Sequence, residues 1–148
     1  MFNTKEKRER ALGVKLFLRP DRCNSPKCAT VRRPTRPGAH GTRRRTVSEY
    51  GTQLMEKQRL QASYGLREGA MQRLFKRALK NPAVTGDTML QLLERRLDNV
   101  VYRLGLAPSR SVGRQLVGHG HITVNGAKVT IPSYLARAGE TITFRPQS

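Results

Sequence analysis

Four pairs of side chains in this sequence have types and spacings that could do chemistry. Glu94 and Asp98 lie four apart and would share one face of a helix, an arrangement from which a paired-carboxylate acid–base site can be built. Arg95 and Arg96 sit between them, so pairing of Asp98 with an arginine, or capping of local backbone, is the stronger reading. Cys23 and Cys28 bracket Asn-Ser-Pro-Lys. They are at most half of a closed zinc site, which needs four ligands, and two reduced thiols in a loop is the plainer reading. His119 and His121 alternate around Gly120 with no further ligand nearby, so contact with RNA or loop backbone suits them better than metal; His40, in a Pro-Gly turn, is read the same way. Arg110 and Arg114, again four apart, offer two guanidinium forks suited to bidentate phosphate contact. No Gly-Lys-Ser/Thr phosphate loop and no nucleophile elbow is present, so the chain reads as a binding protein and not an enzyme.

The charge balance says what is bound. Lys and Arg total 29 against 10 Asp and Glu, a net charge of +19. Such an excess repels itself in a compact state, and the usual compensation is a phosphate backbone. An anionic membrane is the competitor, but no stretch has the apolar length of a spanning helix and Met1–Arg10 lacks the apolar core of a signal peptide. The reading is a soluble intracellular protein with no membrane partner and no small-molecule substrate. About half of the cationic residues fall within residues 1–50. There Arg32, Arg33, Arg36, Arg43, Arg44 and Arg45 are threaded between Pro20, Pro26, Pro34, Pro37, Gly38 and Gly41. Such punctuation forbids long helices, so residues 1–45 are expected to form an irregular, extended basic arm that follows a nucleic-acid backbone. Aromatic residues are few and Trp is absent, so a base-stacking platform is not expected; Tyr50, Phe75 and Tyr102 are assigned to the core.

The elements that must position these residues follow from local pattern. A helix is expected from Thr46, whose Thr-Val-Ser-Glu run matches a capping box with Ser48 as the alternative cap, to Ser63. A second runs from about Arg67 to Lys80. The longest is expected from Thr85-Gly86-Asp87 to Leu104, with Leu90, Leu93, Leu97, Val100, Val101 and Leu104 on one stripe and Gly105 after its end. Ser109 can cap a short helix through Val117, ended by Gly118, with Val112 and Leu116 facing inward and Arg110 and Arg114 outward. Ile122-Thr123-Val124, Asn125-Gly126 and Ala127 to Ile131 form a two-residue hairpin, because a type I′ turn needs positive φ at both central positions. Its register puts Val124 opposite Ala127 and Thr123 opposite Lys128, and a final strand covers Thr141 to Phe144.

The run Leu93–Gly105 resembles the central helix of the ribosomal protein S-four family of the small subunit, and Arg114–Gly126 resembles that family's RNA-binding loop and hairpin. Ile131-Pro132-Ser133-Tyr134, Pro37–Gly41, Ser48–Gly51 and Glu56-Lys57-Gln58 through Tyr64-Gly65 are similar in the same order. The hairpin module alone is also shared with some pseudouridine synthases, bacterial tyrosyl-tRNA synthetases and a heat-shock ribosome-recycling protein; the upstream motifs point to the ribosomal family. The resemblance implies an α+β fold: an extended basic arm over 1–45, the helical part of an N-terminal domain over 46–88, and a helix-helix-hairpin RNA-binding module over 89–148. It implies a primary binder of the five-prime domain of small-subunit rRNA, beside the S-five family protein, that nucleates assembly of the subunit body and supports decoding accuracy. The location would be a ribosome, cytoplasmic or organellar. The residues expected to touch RNA are those of the arm with His40, then Lys57, Arg73 and Arg77 on the helices. In the module they are Ser109, Arg110, Arg114, Gln115, His119, His121, Thr123 and Lys128. Three departures stand out. Longer members continue past the position of Ser148. Gly113 replaces the usual Ala, which weakens the short helix by about 0.5–1 kcal/mol unless close packing needs it. Cys23 and Cys28 match the second half of a four-cysteine zinc site whose first pair is replaced by Glu6 and Glu9, so no cofactor is expected. An RNA-modifying enzyme and a recycling factor of the heat-shock type are the alternatives.

Overall fold

The computed structural model describes residues 4–43 and 46–146, and it divides after Leu66 into two compact units. In the first unit, helices α1 (Thr4–Leu12), α2 (Pro20–Cys23), α3 (Ala29–Arg32) and α4 (Glu49–Ser63) pack with α1 against both α3 and α4. The expectation of irregular chain is corrected here for residues 4–33. Proline and glycine do limit α2 and α3 to single turns, but α1 was hidden for another reason. Its inward residues include Glu6 and Glu9, 5% and 0% exposed, so a search for an apolar stripe passes over it. Between α3 and α4 the described residues from Arg33 to Arg43 form no helix or strand but a series of bends and turns, with the Gly41 N–H donating to Gly38 and the Arg43 N–H to His40, so this basic piece is irregular as expected but not extended.

Glu9 is the centre of this unit. Its Oε1 accepts the backbone N–H groups of Leu16 and Leu18, each at 3.0 Å, and the Cys23 thiol lies 3.8 Å from Oε2. Arg22 pairs with buried Glu6 at 3.1 Å, and Arg59 of α4 donates to the Leu12 carbonyl at 3.1 Å, which ties α4 to the end of α1. Helix α4 starts at Glu49 and not at Thr46, because Ser48 supplies the cap: its hydroxyl accepts the Gly51 N–H at 3.2 Å. Tyr50, in the first turn, is 74% exposed and not core.

The second unit begins with a helix pair, α5 (Glu68–Ala78) against α6 (Thr85–Glu94). The long helix expected through Leu104 is broken. Arg96 is extended (φ −63°, ψ 135°), and α7 (Leu97–Arg103) restarts after it. The cause is distant in sequence. Residues 132–136 lie across the break, where Leu97 N–H donates to Tyr134 at 2.8 Å, Asp98 N–H to Pro132 at 3.2 Å, and Ala136 N–H to Arg95 at 2.8 Å. The first N–H groups of a helix need outside acceptors, and this segment supplies two of them. Leu93, Leu97 and Val101 are fully buried as expected, whereas Leu90 and Leu104 are 45% and 56% exposed. Phe75, on α5, is 47% exposed and also not core.

Helix α8 (Arg110–His119) packs on α7, and strands β1 (Ile122–Val124), β2 (Ala127–Lys128) and β3 (Ile142–Phe144) form an antiparallel sheet in the order β2-β1-β3. The hairpin register is Thr123 with Lys128 and Val124 with Ala127, and Asn125 and Gly126 have φ of 51° and 79°. Leu97, Val101, Ala107, Val117, Ile122 and Val124 make one apolar core. An ideal Cβ on Gly113 would lie 2.7 Å from the Asp98 carbonyl oxygen, so α8 approaches α7 at a distance only glycine allows. Among the described residues no helix is long and apolar enough to cross a membrane.

Candidate nucleic-acid interface

Helix α8 gains its orientation at both ends. Ser109 accepts the Val112 N–H at 3.3 Å, and Gly120, left-handed at φ 79°, ends the helix two residues later than Gly118 would have. Val112 and Leu116 pack toward the apolar core, so Arg114 and Gln115 are exposed. Arg110 is held more tightly than its neighbours. Its Nε donates to Asn99 Oδ1 at 2.8 Å, and its guanidinium carbon stands 4.8 Å from the centroid of the Tyr102 ring. Asn99 is 1% exposed, and its amide nitrogen donates to the Glu94 carbonyl at 3.0 Å and to Glu94 Oε2 at 2.9 Å. Glu94 in turn accepts two bonds from Arg103, at 3.1 and 2.9 Å. A buried amide therefore fixes one edge of the Arg110 fork, and a ring supports its face. Ordering that side chain before a ligand arrives reduces the entropy lost on contact.

The same network answers the question of the paired carboxylates. Glu94 is occupied by Arg103 and Asn99. Asp98, 4% exposed, takes two bonds from buried Arg96 at 3.1 and 2.6 Å and one from the Asn99 N–H at 2.9 Å. Both carboxylates are structural counter-charges at the helix break.

Beyond α8, His119 is exposed and His121 half-buried, with ring centroids 6.1 Å apart. Lys128 is exposed on β2, and its side chain crosses Gly120 so closely that an ideal Cβ there would collide with Lys128 Cε. Arg110, Arg114, His119, His121 and Lys128 thus belong to one module. Ser109 and Thr123 are buried instead. Ser109 is spent on the cap, and Thr123, in the central strand on the face opposite the core, is flanked by Lys128 on β2 and Thr143 on β3, with its hydroxyl 2.8 Å from that of Thr143. Both support the surface without presenting a polar atom to it. Arg73 and Arg77 are exposed on α5, four apart and on one face.

In the first unit Lys57 is exposed on α4. Arg36, His40 and Arg43 line one concavity of about 760 Å³ with Pro37–Gly41 and Thr46. Arg32 and Arg33 line another, with Arg10, Arg22 and Lys27, which sequence reasoning did not assign. Arg44 and Arg45 lie outside the described residues. Asn99 was not assigned either: it falls nearly opposite the apolar stripe, on the side of the helix where sequence pattern expects solvent and not a buried amide.

Cys23 and Cys28 are both free and buried. Glu9 is committed to backbone N–H groups and Glu6 to Arg22, and among the described residues no group of three or more potential ligands is placed to hold a metal. Burial pushes the Cys23 thiol pKa up, while the Thr30 hydroxyl, 2.9 Å from Cys28 Sγ, holds that of Cys28 down.

Residues 2–94 match the family model described as Ribosomal protein S4/S9 N-terminal domain, and residues 95–142 match that of the S4 domain. The small ribosomal subunit protein uS4 of Pelotomaculum thermopropionicum is 56% identical over 136 residues, covering 92% of this chain and 65% of that one. The uS4 of Acetivibrio thermocellus is 52% identical over 136 residues, with the same coverage, and that of Gloeobacter violaceus is 54% identical over 139 residues, covering 94% and 68%. The chain thus spans about 65% of the length of the first two of these relatives.

Proposed function

Because this chain belongs to the ribosomal protein S4 family, a family of ribosomal proteins and not of enzymes, we propose that it binds small-subunit rRNA directly as a structural constituent of the small ribosomal subunit. The finer reading is a primary binder of the five-prime domain, seated beside the S-five family protein. There it nucleates assembly of the subunit body and supports decoding accuracy, in a cytoplasmic or organellar ribosome and without a cofactor. The observation that carries the RNA reading is the α8 surface. Arg110 is pre-oriented by Asn99 and Tyr102, with Arg114 exposed on the same helix, in a chain of net charge +19. Cationic forks on a rigid helix read phosphate position and RNA shape, and little base identity.

The test is binding of the purified chain to a five-prime-domain rRNA fragment across a salt series, with chemical probing of the RNA. Arg114→Ala is expected to weaken binding and to flatten the slope of log K against log salt by about 0.7–0.9, one phosphate contact. Arg110→Ala should do the same, with Asn99 left exposed by the change. An unchanged slope in both variants would remove α8 from the interface. Co-sedimentation with free large subunits in place of small ones would favour the recycling-factor reading, and turnover of rRNA would favour a modifying enzyme.

A further inference from the structure

We propose that Cys23 and Cys28 are a reversible thiol–disulfide pair, oxidised to an intramolecular bridge by exchange with a small anionic disulfide. The proposal does not depend on the RNA reading. Both thiols are free and buried. Cys23 is the last residue of α2, and Cys28 is the N-cap of α3. Two reverse turns join them. The Ser25 N–H donates to the Arg22 carbonyl at 3.1 Å, and the Cys28 N–H donates to the Ser25 carbonyl at 3.1 Å. Pro26 holds the second position of the latter turn, where its fixed φ suits the geometry. The chain doubles back, and the two thiols become hydrogen-bond neighbours. Neighbouring sulfurs are what exchange needs, because its second step is then intramolecular and outruns competing thiols in solution.

The surroundings set the order of events. Cys28 Sγ is 2.9 Å from the Thr30 hydroxyl, which can donate to a thiolate, and Lys15 adds positive charge there. Cys23 instead lies 3.8 Å from the Glu9 carboxylate, which opposes a second negative charge. Cys28 therefore attacks first. Its sulfur bonds to one sulfur of the incoming disulfide, whose S–S bond breaks; the other half leaves as a thiolate and takes up the Cys28 proton. Cys23 then attacks the Cys28 sulfur of the mixed disulfide, and the second half leaves with the Cys23 proton. Two protein thiols are oxidised to one S–S bond, and one small disulfide is reduced to two small thiols. The bridge also removes the hydrogen that Cys23 donates to Glu9, so the oxidation state reaches the carboxylate at the centre of the unit. Access and charge select the oxidant. Asn24, Pro26 and Lys27 of the connecting turns are exposed, and α2 and α3 are single helical turns, so local opening brings the sulfurs to solvent without unfolding the unit. Arg22 and Lys27, beside the thiols, share a hollow with Arg10, Arg32 and Arg33, which favours an anion over a cation. Oxidised glutathione, through its carboxylates, has this chemistry.

The experiment equilibrates the reduced whole chain, with a metal chelator present, against mixtures of reduced and oxidised glutathione and follows intact mass. The wild type should lose two hydrogens and show little glutathione adduct at any ratio. The amount of reduced glutathione needed to open half of the bridges should be about 10-fold or more higher for the native chain than for the chain in urea, because the fold and not the short spacing alone holds the thiols together. That comparison uses the wild type and does not depend on any variant folding. Cys23→Ser, which keeps the attacking thiol, should take up one glutathione about 10-fold faster than Cys28→Ser. At low salt, oxidised glutathione should act about 10-fold faster than cationic cystamine, and the ratio should fall as salt rises. A stable adduct on the wild type, chains linked to one another as the main product, or equal balance points in native buffer and urea would overturn the pair. So would retention of both thiols at ratios that modify the single variants. Equal rates for the two Ser variants would overturn the order of attack, and equal rates for the two disulfides would overturn the choice of an anionic oxidant.

Discussion

In the unit after Leu66, the side chains without exposed surface are chiefly hydrocarbon: Leu93, Leu97, Val101, Val117 and Ile122. In the unit before it, the side chain without exposed surface is the carboxylate of Glu9, and the groups buried with it include Glu6, Cys23, Cys28 and Gln61. The difference lies in the kind of force as well as the residue type. Burial of a leucine contributes about 1.5–3 kcal/mol and does not depend on direction. A hydrogen bond to a charged acceptor contributes a similar amount, about 1.5–3 kcal/mol, but only in one geometry. The second unit should therefore tolerate changes of shape and lose stability with lost volume. The first should tolerate almost nothing at one oxygen atom.

Truncation of each centre gives the largest expected effects. Glu9→Ala leaves the N–H groups of Leu16 and Leu18 without their acceptor, an expected loss of about 4 kcal/mol from two charge-assisted bonds. Leu97→Ala should cost about 3 kcal/mol, within the usual range for a buried leucine. Amide hydrogen exchange, followed by segment, separates the two. Glu9→Ala should unprotect residues 14–18 and leave 97–124 protected, and Leu97→Ala should do the reverse. The conservative variants sharpen the contrast. Leu97→Met should cost less than about 1.5 kcal/mol, while Glu9→Gln keeps an acceptor oxygen and tests whether the charge is needed. If residues 14–18 stay protected in Glu9→Ala, the carboxylate is not the centre of its unit.

The middle of the range tests how close the apolar unit is packed. On helix propensity alone, Gly113→Ala should stabilise α8 by about 1 kcal/mol. The 2.7 Å approach of a Cβ to the Asp98 carbonyl reverses that sign, because the obstacle is backbone and α7 must move. A net loss of about 1–2 kcal/mol is expected, read as a lower urea midpoint, with overpacking outweighing propensity. A gain would mean that α7 and α8 separate at little cost.

The same contrast explains what could be read from the sequence. Ser109 as a cap, Ser48 as the second of two candidate caps, Asn125-Gly126 as a type I′ turn with its register, and the inward pair Val112 and Leu116 all follow from residues within a few positions of one another. The break at Arg96 does not, because its cause is backbone nearly forty positions away. Helix α1 does not, because two of its buried positions, Glu6 and Glu9, carry carboxylates and leave Leu12 as the apolar one. For the candidate site, the positions of Arg110 and Arg114 were legible from their spacing on a helix. That Arg110 is clamped by Asn99 was not, and neither was the grouping of Arg10, Arg22 and Lys27 with Arg32 and Arg33, which depends on three short elements folding together.

The smallest expected effect comes from a carboxylate that does in the second unit what Glu9 does in the first, but near solvent. Glu140 accepts the Arg137 N–H at 3.0 Å and the Tyr134 hydroxyl at 2.8 Å. The backbone N–H first, then the Tyr134 hydroxyl, hold its pKa below the ordinary 4.5, and the bond to Glu140 raises that of Tyr134 above 10.0. A depressed carboxylate stabilises the fold above its unfolded value, and that contribution is lost as pH falls through the folded value. The raised tyrosine contributes below about pH 10 and loses its share as pH rises through its folded value. The stability difference between wild type and Glu140→Gln, read as urea midpoints across pH, should be level over neutral pH and shrink below pH 4.5. It should also be far smaller than that of Glu9→Ala, since water competes for every group involved. A difference as large as that of Glu9→Ala would show that hydrogen-bond geometry alone sets the strength of these carboxylate clips, with burial contributing little.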